Sequence, residues 1–142
     1  MNIQKFTQKS VEAINDCEKL AYEYGNQEIE QEHLLVALLR QEDGLIPKLI
    51  EKMDETDADI VIGSRFLEKG TYKQTFFRKL GTNIFSFLIK VFCKEKISDP
   101  TSGFQCLGEK AIDRFSTFGM YPEFPDANLI IELLYSGFKI EE

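Results

Sequence analysis

The chain has 142 residues, 43% apolar and 12% aromatic, which is enough for a folded core and unlike the composition of a disordered polymer. A net charge of -7 and a pI near 4.9 exclude the basic footprint of a general nucleic-acid binder. The charge is unevenly spread: between positions 65 and 96, Arg65, Lys69, Lys73, Arg78, Lys79, Lys90, Lys94 and Lys96 stand against only Glu68 and Glu95, a local basic stripe of the kind that governs surface association.

Cys17, Cys93 and Cys106 are odd in number and show no CxxC spacing, and no apolar segment after Met1 has the form of a signal peptide. Reduced thiols and a cytoplasmic chain are expected, peripheral to the inner face of a membrane if the basic stripe engages it. The longest apolar runs, such as Phe87-Leu88-Ile89, are bounded by Ser86 and Lys90, far short of the roughly 20 residues a spanning helix needs.

Thr7 is placed as an N-cap, and Val11, Ile14, Cys17, Ala21 and Tyr24 recur at helical spacing before Gly25, predicting an amphipathic helix that ends there. A second helix is predicted over about 30–41, with Leu34, Leu35, Leu38 and Leu39 apolar, Glu30 and Glu32 in its first turn, and Gly44 ending it. Leu45, Ile46, Leu49, Ile50 and Met53 make a third stripe, with Pro47 tolerated in the first turn. These facing stripes predict a helical packing unit over residues 1–53. His33 is the one histidine and has no second His or Cys pair beside it, so it reads as a helix-packing residue and no metal site is expected.

Residues 54–58 form a polar junction. Asp57-Ala58-Asp59 has the DxD form, but no apolar run precedes it and it leads directly into Ile60-Val61-Ile62, so it reads as ordinary strand-edge acids. That apolar run is stopped by Gly63-Ser64 and followed by Arg65, the pattern of a buried strand delivering an arginine to a loop. Residues 76–96 are helical in pattern, rich in phenylalanine, with Arg78, Lys79, Lys90, Lys94 and Lys96 near the ends. Such a helix suits either an anionic membrane surface or a core, and Gly81 and Asn83 weaken it in isolation. Pro100 and Gly103 set a turn before a strand at 104–107, with Asp99 and Ser102 offering polar groups to a site floor. Helices are predicted over 109–115 and 126–135, the latter ended by Gly137, and a last strand over 138–141.

Two resemblances follow from these residues. The opening segment and Glu32-His33-Leu34-Leu35-Val36-Ala37-Leu38-Leu39 resemble the start of the N-terminal domain of ClpB-type disaggregases, covering the first three helices of the first of two repeats. That resemblance implies contacts with unfolded protein or an adaptor. No GxxxxGK[ST] sequence is present, so ATP hydrolysis by a P-loop is excluded.

From residue 58 on, Gly63-Ser64-Arg65-Phe66, the Arg78 segment and Asp99-Pro100-Thr101-Ser102-Gly103-Phe104 resemble the acceptor-side half of a family-2 glycosyltransferase of the dolichyl-phosphate mannosyltransferase type. This second resemblance implies that Arg65, Arg78 and Thr82 bind the acceptor phosphate of a polyprenyl-phosphate lipid. Two arginines and a hydroxyl would suit that phosphate. It also implies Asp99 and Ser102 at the site floor and Asp126, backed by Glu123, as a weak candidate base. Gln105 stands where the family commonly has arginine.

The nucleotide-sugar half of that family is missing, so no cofactor is expected in this chain, although the intact family uses a divalent metal. Together the resemblances predict a chimera: a mixed α/β fold with a three-helix N-terminal unit, a junction at 54–58, and a partial GT-A-like α/β portion over 59–142 with few strands. The leading expectation is a non-catalytic fragment of a lipid-directed glycosyltransferase, with a Clp-type protein-interaction module as the alternative. Exposed strand edges make self-association a further expectation.

Overall fold

The computed structural model describes residues 6–66, 75–118 and 127–142; of the side chains at 77, 78 and 118 nothing is described. The chain divides into two compact units, one ending at Lys48 and the other beginning at Leu49.

In the first unit, α1 (Gln8–Glu23) starts where Thr7 is extended and its Oγ1 accepts the Ser10 N–H at 3.2 Å. It stops at Gly25, whose φ of +70° is open to glycine without strain, and the Asn26 N–H reaches back to the Ala21 carbonyl at 2.8 Å. The second helix, α2 (Gln31–Leu39), is tied at its start by His33, whose Nδ1 accepts the Glu30 N–H at 2.9 Å. His33 is buried and serves the helix end, as expected of a packing residue.

The core of this unit is small: Ala13, Cys17 and Leu20 of α1 and Ala37 of α2, with Val36 and Leu38 beside them. The face assigned to Leu34, Leu35 and Leu39 is therefore corrected, because all three are exposed. The run from Leu34 to Leu39 is apolar all round, and α1 covers only the side carrying His33 and Ala37. Burial pushes the Cys17 thiol above its usual range, leaving it inert packing.

The third helix, α3 (Leu45–Thr56), follows Gly44 and contains the division between the units. The polar stretch at 54–58 is its last turn together with a reversal in which Asp57 takes a φ of 51°.

The second unit holds a three-stranded sheet with β1 (Ile60–Ile62) in the middle, β2 (Gln105–Leu107) antiparallel on one side and β3 (Ile140–Glu141) parallel on the other. The register pairs Ile60 with Leu107 and Ile62 with Gln105, and Ile60 with Ile140. All three residues of β1 are buried, as an unbroken β-branched run in a central strand should be. The three strands pair with one another, with β2 and β3 at the edges. Around them pack α4 (Phe76–Phe92), α5 (Glu109–Phe118) and α6 (Ala127–Tyr135). Ile60, Ile62, Ile89, Ile97, Ala111, Phe115, Ile130, Leu133, Phe138 and Ile140 form the core.

Helix α4 ends four residues before the predicted limit. Lys94 turns the chain at a φ of 62°, which returns it to the sheet and buries Ile97. Helix α6 closes at Gly137, φ +79°, with the Phe138 N–H on the Leu133 carbonyl at 3.0 Å. The fold class is accordingly mixed: six helices and one small sheet among the described residues. No helix among them is long and apolar enough to cross a membrane.

Candidate functional site

Two regions carry the residues singled out from sequence, one in each unit. In the second unit, the loop leaving β1 meets the turn at 99–103. Asp99 is fully buried, and Arg65 grips its carboxylate from two directions. Nε donates to Oδ2 at 2.7 Å and Nη2 to Oδ1 at 2.7 Å, while the Arg65 backbone N–H adds a contact at 3.1 Å. Arg65 Nη2 also donates to Thr101 Oγ1 at 3.0 Å.

Ser102 is buried and donates to the Gly63 carbonyl at 2.8 Å. Gly63 itself lies so close to the Phe104 ring that a Cβ there would run into it. On the other side of the turn, the Glu142 carboxylate accepts the backbone N–H groups of Ser98 and Asp99 at 2.8 and 2.6 Å.

Burial pushes the Asp99 carboxyl up, but the hydrogen bonds and charge of Arg65, with the Thr101 hydroxyl, outweigh it and hold the group below the usual carboxylate range. The physical role of this constellation is to fasten two loops to the sheet. The guanidinium that the glycosyltransferase resemblance assigned to a lipid phosphate is engaged with a carboxylate of its own chain. Asp99 and Ser102, expected at a site floor, point into that fastening.

Thr82 sits on the buried side of α4 and lines a cavity of about 470 Å³ with Phe66, Lys79, Ser86, Lys90 and Lys96. Arg78 lies in the first turn of α4, with its side chain outside the described residues, and Asp126 and Glu123 lie outside them altogether.

Of the Asp57-Ala58-Asp59 triplet, the second carboxylate is engaged within the chain. Asp59 accepts from Lys110 Nζ at 2.7 Å and from the Lys139 N–H at 2.8 Å. Burial raises its carboxyl, but these partners prevail and lower it. Among the described residues no group of three or more His, Cys, Asp or Glu is placed to hold a metal ion.

The other region is the outer surface of α1 and α2. Leu35, 57% exposed, and Leu39 lie one turn apart on α2, with Leu34 beside them and Tyr22 and Tyr24 exposed at the end of α1. Glu32 on the helix, Glu28 and Glu42 beyond its ends, and Arg40, which donates to the Tyr24 hydroxyl at 3.3 Å, are exposed as well, so charges of both signs lie near the apolar surface. Sequence reasoning took these leucines for core because period alone cannot distinguish a buried face from an open one when the helix is apolar all round.

Residues 5–69 match the Clp repeat (R) N-terminal domain family. Among curated proteins, the chain is 46% identical over 55 residues to the chaperone protein ClpB of Nitratidesulfovibrio vulgaris, covering 39% of this chain and 6% of that protein. It is 48% identical over 54 residues to ClpB of Clostridium tetani, covering 38% and 6%, and 39% identical over 54 residues to ClpB of Bacillus cereus, with the same coverage. The chain therefore spans only a small fraction of the length of these relatives. No solved structure matches it.

These findings correct the glycosyltransferase reading. A chimera requires a change of family near residue 58, whereas the Clp match runs through Gly63-Ser64-Arg65 to residue 69, and nothing in the comparisons points to a glycosyltransferase. Support for a polyprenyl-phosphate acceptor goes with it.

Proposed function

We propose that this chain acts as a Clp-type protein-interaction module, in which the α1–α2 unit offers its exposed apolar surface to an unfolded client or an adaptor. One observation carries the reading: the stretch that matches the Clp repeat N-terminal domain contains all of α1 and α2, and their outer side leaves Leu34, Leu35 and Leu39 exposed. Apolar residues in a contiguous exposed patch mark sites of association, and the relatives over this stretch are chaperones by name.

The proposed role is binding. These 142 residues contain no P-loop sequence, and the proposal assigns them no ATP-driven step.

The test is fluorescence anisotropy of the full chain with a labelled, permanently unfolded protein such as reduced and carboxymethylated lactalbumin. Leu35→Asp together with Leu39→Asp should abolish binding while circular dichroism stays unchanged. Undiminished binding by that variant would overturn the proposal.

A further inference from the structure

Helix α4 is apolar on two opposite sides, and only one of them is buried. Inward, Ile89 packs into the core with Cys93 beside it, and Thr82 is buried two turns earlier. Outward, Leu80, Ile84, Phe87 and Val91 are 49%, 49%, 64% and 52% exposed. At 100° per residue these four fall within one narrow stripe diametrically opposite Ile89. Their spacing of four, three and four is the a/d seam by which one helix packs along another.

Beside the stripe lies the cavity of about 470 Å³, with Phe66, Phe87 and Ile97 as apolar lining and Lys79, Lys90 and Lys96 as its cations. The sequence of α4 contains no acidic residue, and all three lysines are exposed.

We propose that the outer stripe of α4 and the adjoining cleft form a docking groove for an acidic amphipathic helix of a partner protein. A leucine-type seam on the partner would cover Leu80, Ile84, Phe87 and Val91, and its flanking Glu or Asp side chains would reach Lys79, Lys90 and Lys96. At 17 residues α4 offers about 25 Å of length, room for four to five turns of partner.

A second copy of α4 is disfavoured as the occupant, because like rows of lysine would then flank the same seam. A bilayer surface is disfavoured by shape: the cations surround a concave cleft, which a side chain fills and a flat surface leaves empty. This groove belongs to the second unit and stands independently of the α1–α2 surface.

The probe is a fluorescein-labelled synthetic helix with leucines at four-three spacing flanked by glutamates, titrated into the full chain. A copy with lysine for glutamate, and vesicles of phosphatidylcholine with phosphatidylglycerol, serve as comparators. The glutamate peptide should bind with an affinity that falls as salt rises. Lys90→Glu and Ile84→Asp, both at exposed positions, should each weaken it by about tenfold, or about 1.4 kcal/mol. Leu35→Asp with Leu39→Asp should leave it unchanged, which separates this groove from the α1–α2 surface. Equal binding of the lysine peptide, uptake of vesicles without binding of the glutamate peptide, insensitivity to Lys90→Glu and Ile84→Asp, or loss on changing Leu35 and Leu39 would each overturn the inference.

Discussion

Arg65 and Asp99, 34 positions apart in the chain, form a bidentate ion pair with both contacts at 2.7 Å, the carboxylate fully buried and the guanidinium about one-third exposed. The pair joins the loop after β1 to the turn before β2 and so fixes how two strands of a small sheet are connected. A buried charge without its partner is far more costly than the pair is stabilising. Arg65→Ala should therefore lower the stability of the second unit by about 3–5 kcal/mol, and Asp99→Ala by less, because the Arg65 side chain it leaves is 36% exposed and can be hydrated. The double variant should cost clearly less than the two single losses added together, as read by urea unfolding. Additive losses would show that the two groups act independently. Arg65→Lys should recover little, since an ammonium cannot make the two-pronged contact.

Acid should dissolve the same fastening. Asp99 and Asp59 both titrate below the usual carboxylate value of 3.8 in the folded protein, against burial, because Arg65 holds one and Lys110 and Lys139 the other. A carboxyl held low in the native state binds its proton more readily once unfolded. Its contribution is thus fully present above the unfolded value and is lost as pH falls below about 4 through the folded one. Thermal unfolding followed from neutral pH to pH 2 should show this decline, and Asp99→Asn should flatten it. An unchanged slope in Asp99→Asn would remove Asp99 from the account.

Gly63 and Phe104 offer a steric test. A Cβ at position 63 collides with the Phe104 ring and also approaches the Phe104 carbonyl oxygen at 3.3 Å. Gly63→Ala should cost about 1–3 kcal/mol, the range for overpacking. Adding Phe104→Ala should restore part of that loss, because it removes the nearest obstacle. Failure of the second change to restore any of it would place the strain in the backbone instead.

The first unit has a simple local dependence. Thr7 Oγ1 caps α1 by accepting the Ser10 N–H, and with so small a core the helix relies on its ends. Thr7→Ala should cost about 1 kcal/mol and Thr7→Ser almost nothing, measured by the helical circular dichroism signal during thermal unfolding. Equal loss in both would mean that the threonine methyl group, rather than the cap, matters.

Local signals located the elements. Gly25 and Gly137 end helices where αL glycines were expected, and the β-branched run at Ile60 is the central strand. Pro100 with Gly103 marks the turn before β2, and His33 proves to be a packing residue. Each depends on neighbours within a few positions, so composition and period suffice. The length of α4 was overestimated because its termination at Lys94 depends on where Ile97 must be buried, a demand made by the distant sheet.

Sequence by itself determined the Clp-like character of the opening helices, the order of helices and strands, and the absence of a P-loop. Tertiary structure decided what the chemistry-bearing side chains do. Arg65 reads from sequence as a cation awaiting an anionic ligand, and only folding brings Asp99 to it across 34 positions. The leucines of α2 read as core and the apolar face of α4 as suited to either a membrane surface or a core, and only packing shows which apolar faces find cover. The physical reason is the same in both cases: charge and hydrophobicity are properties of a residue, but pairing and burial are properties of its neighbours in space.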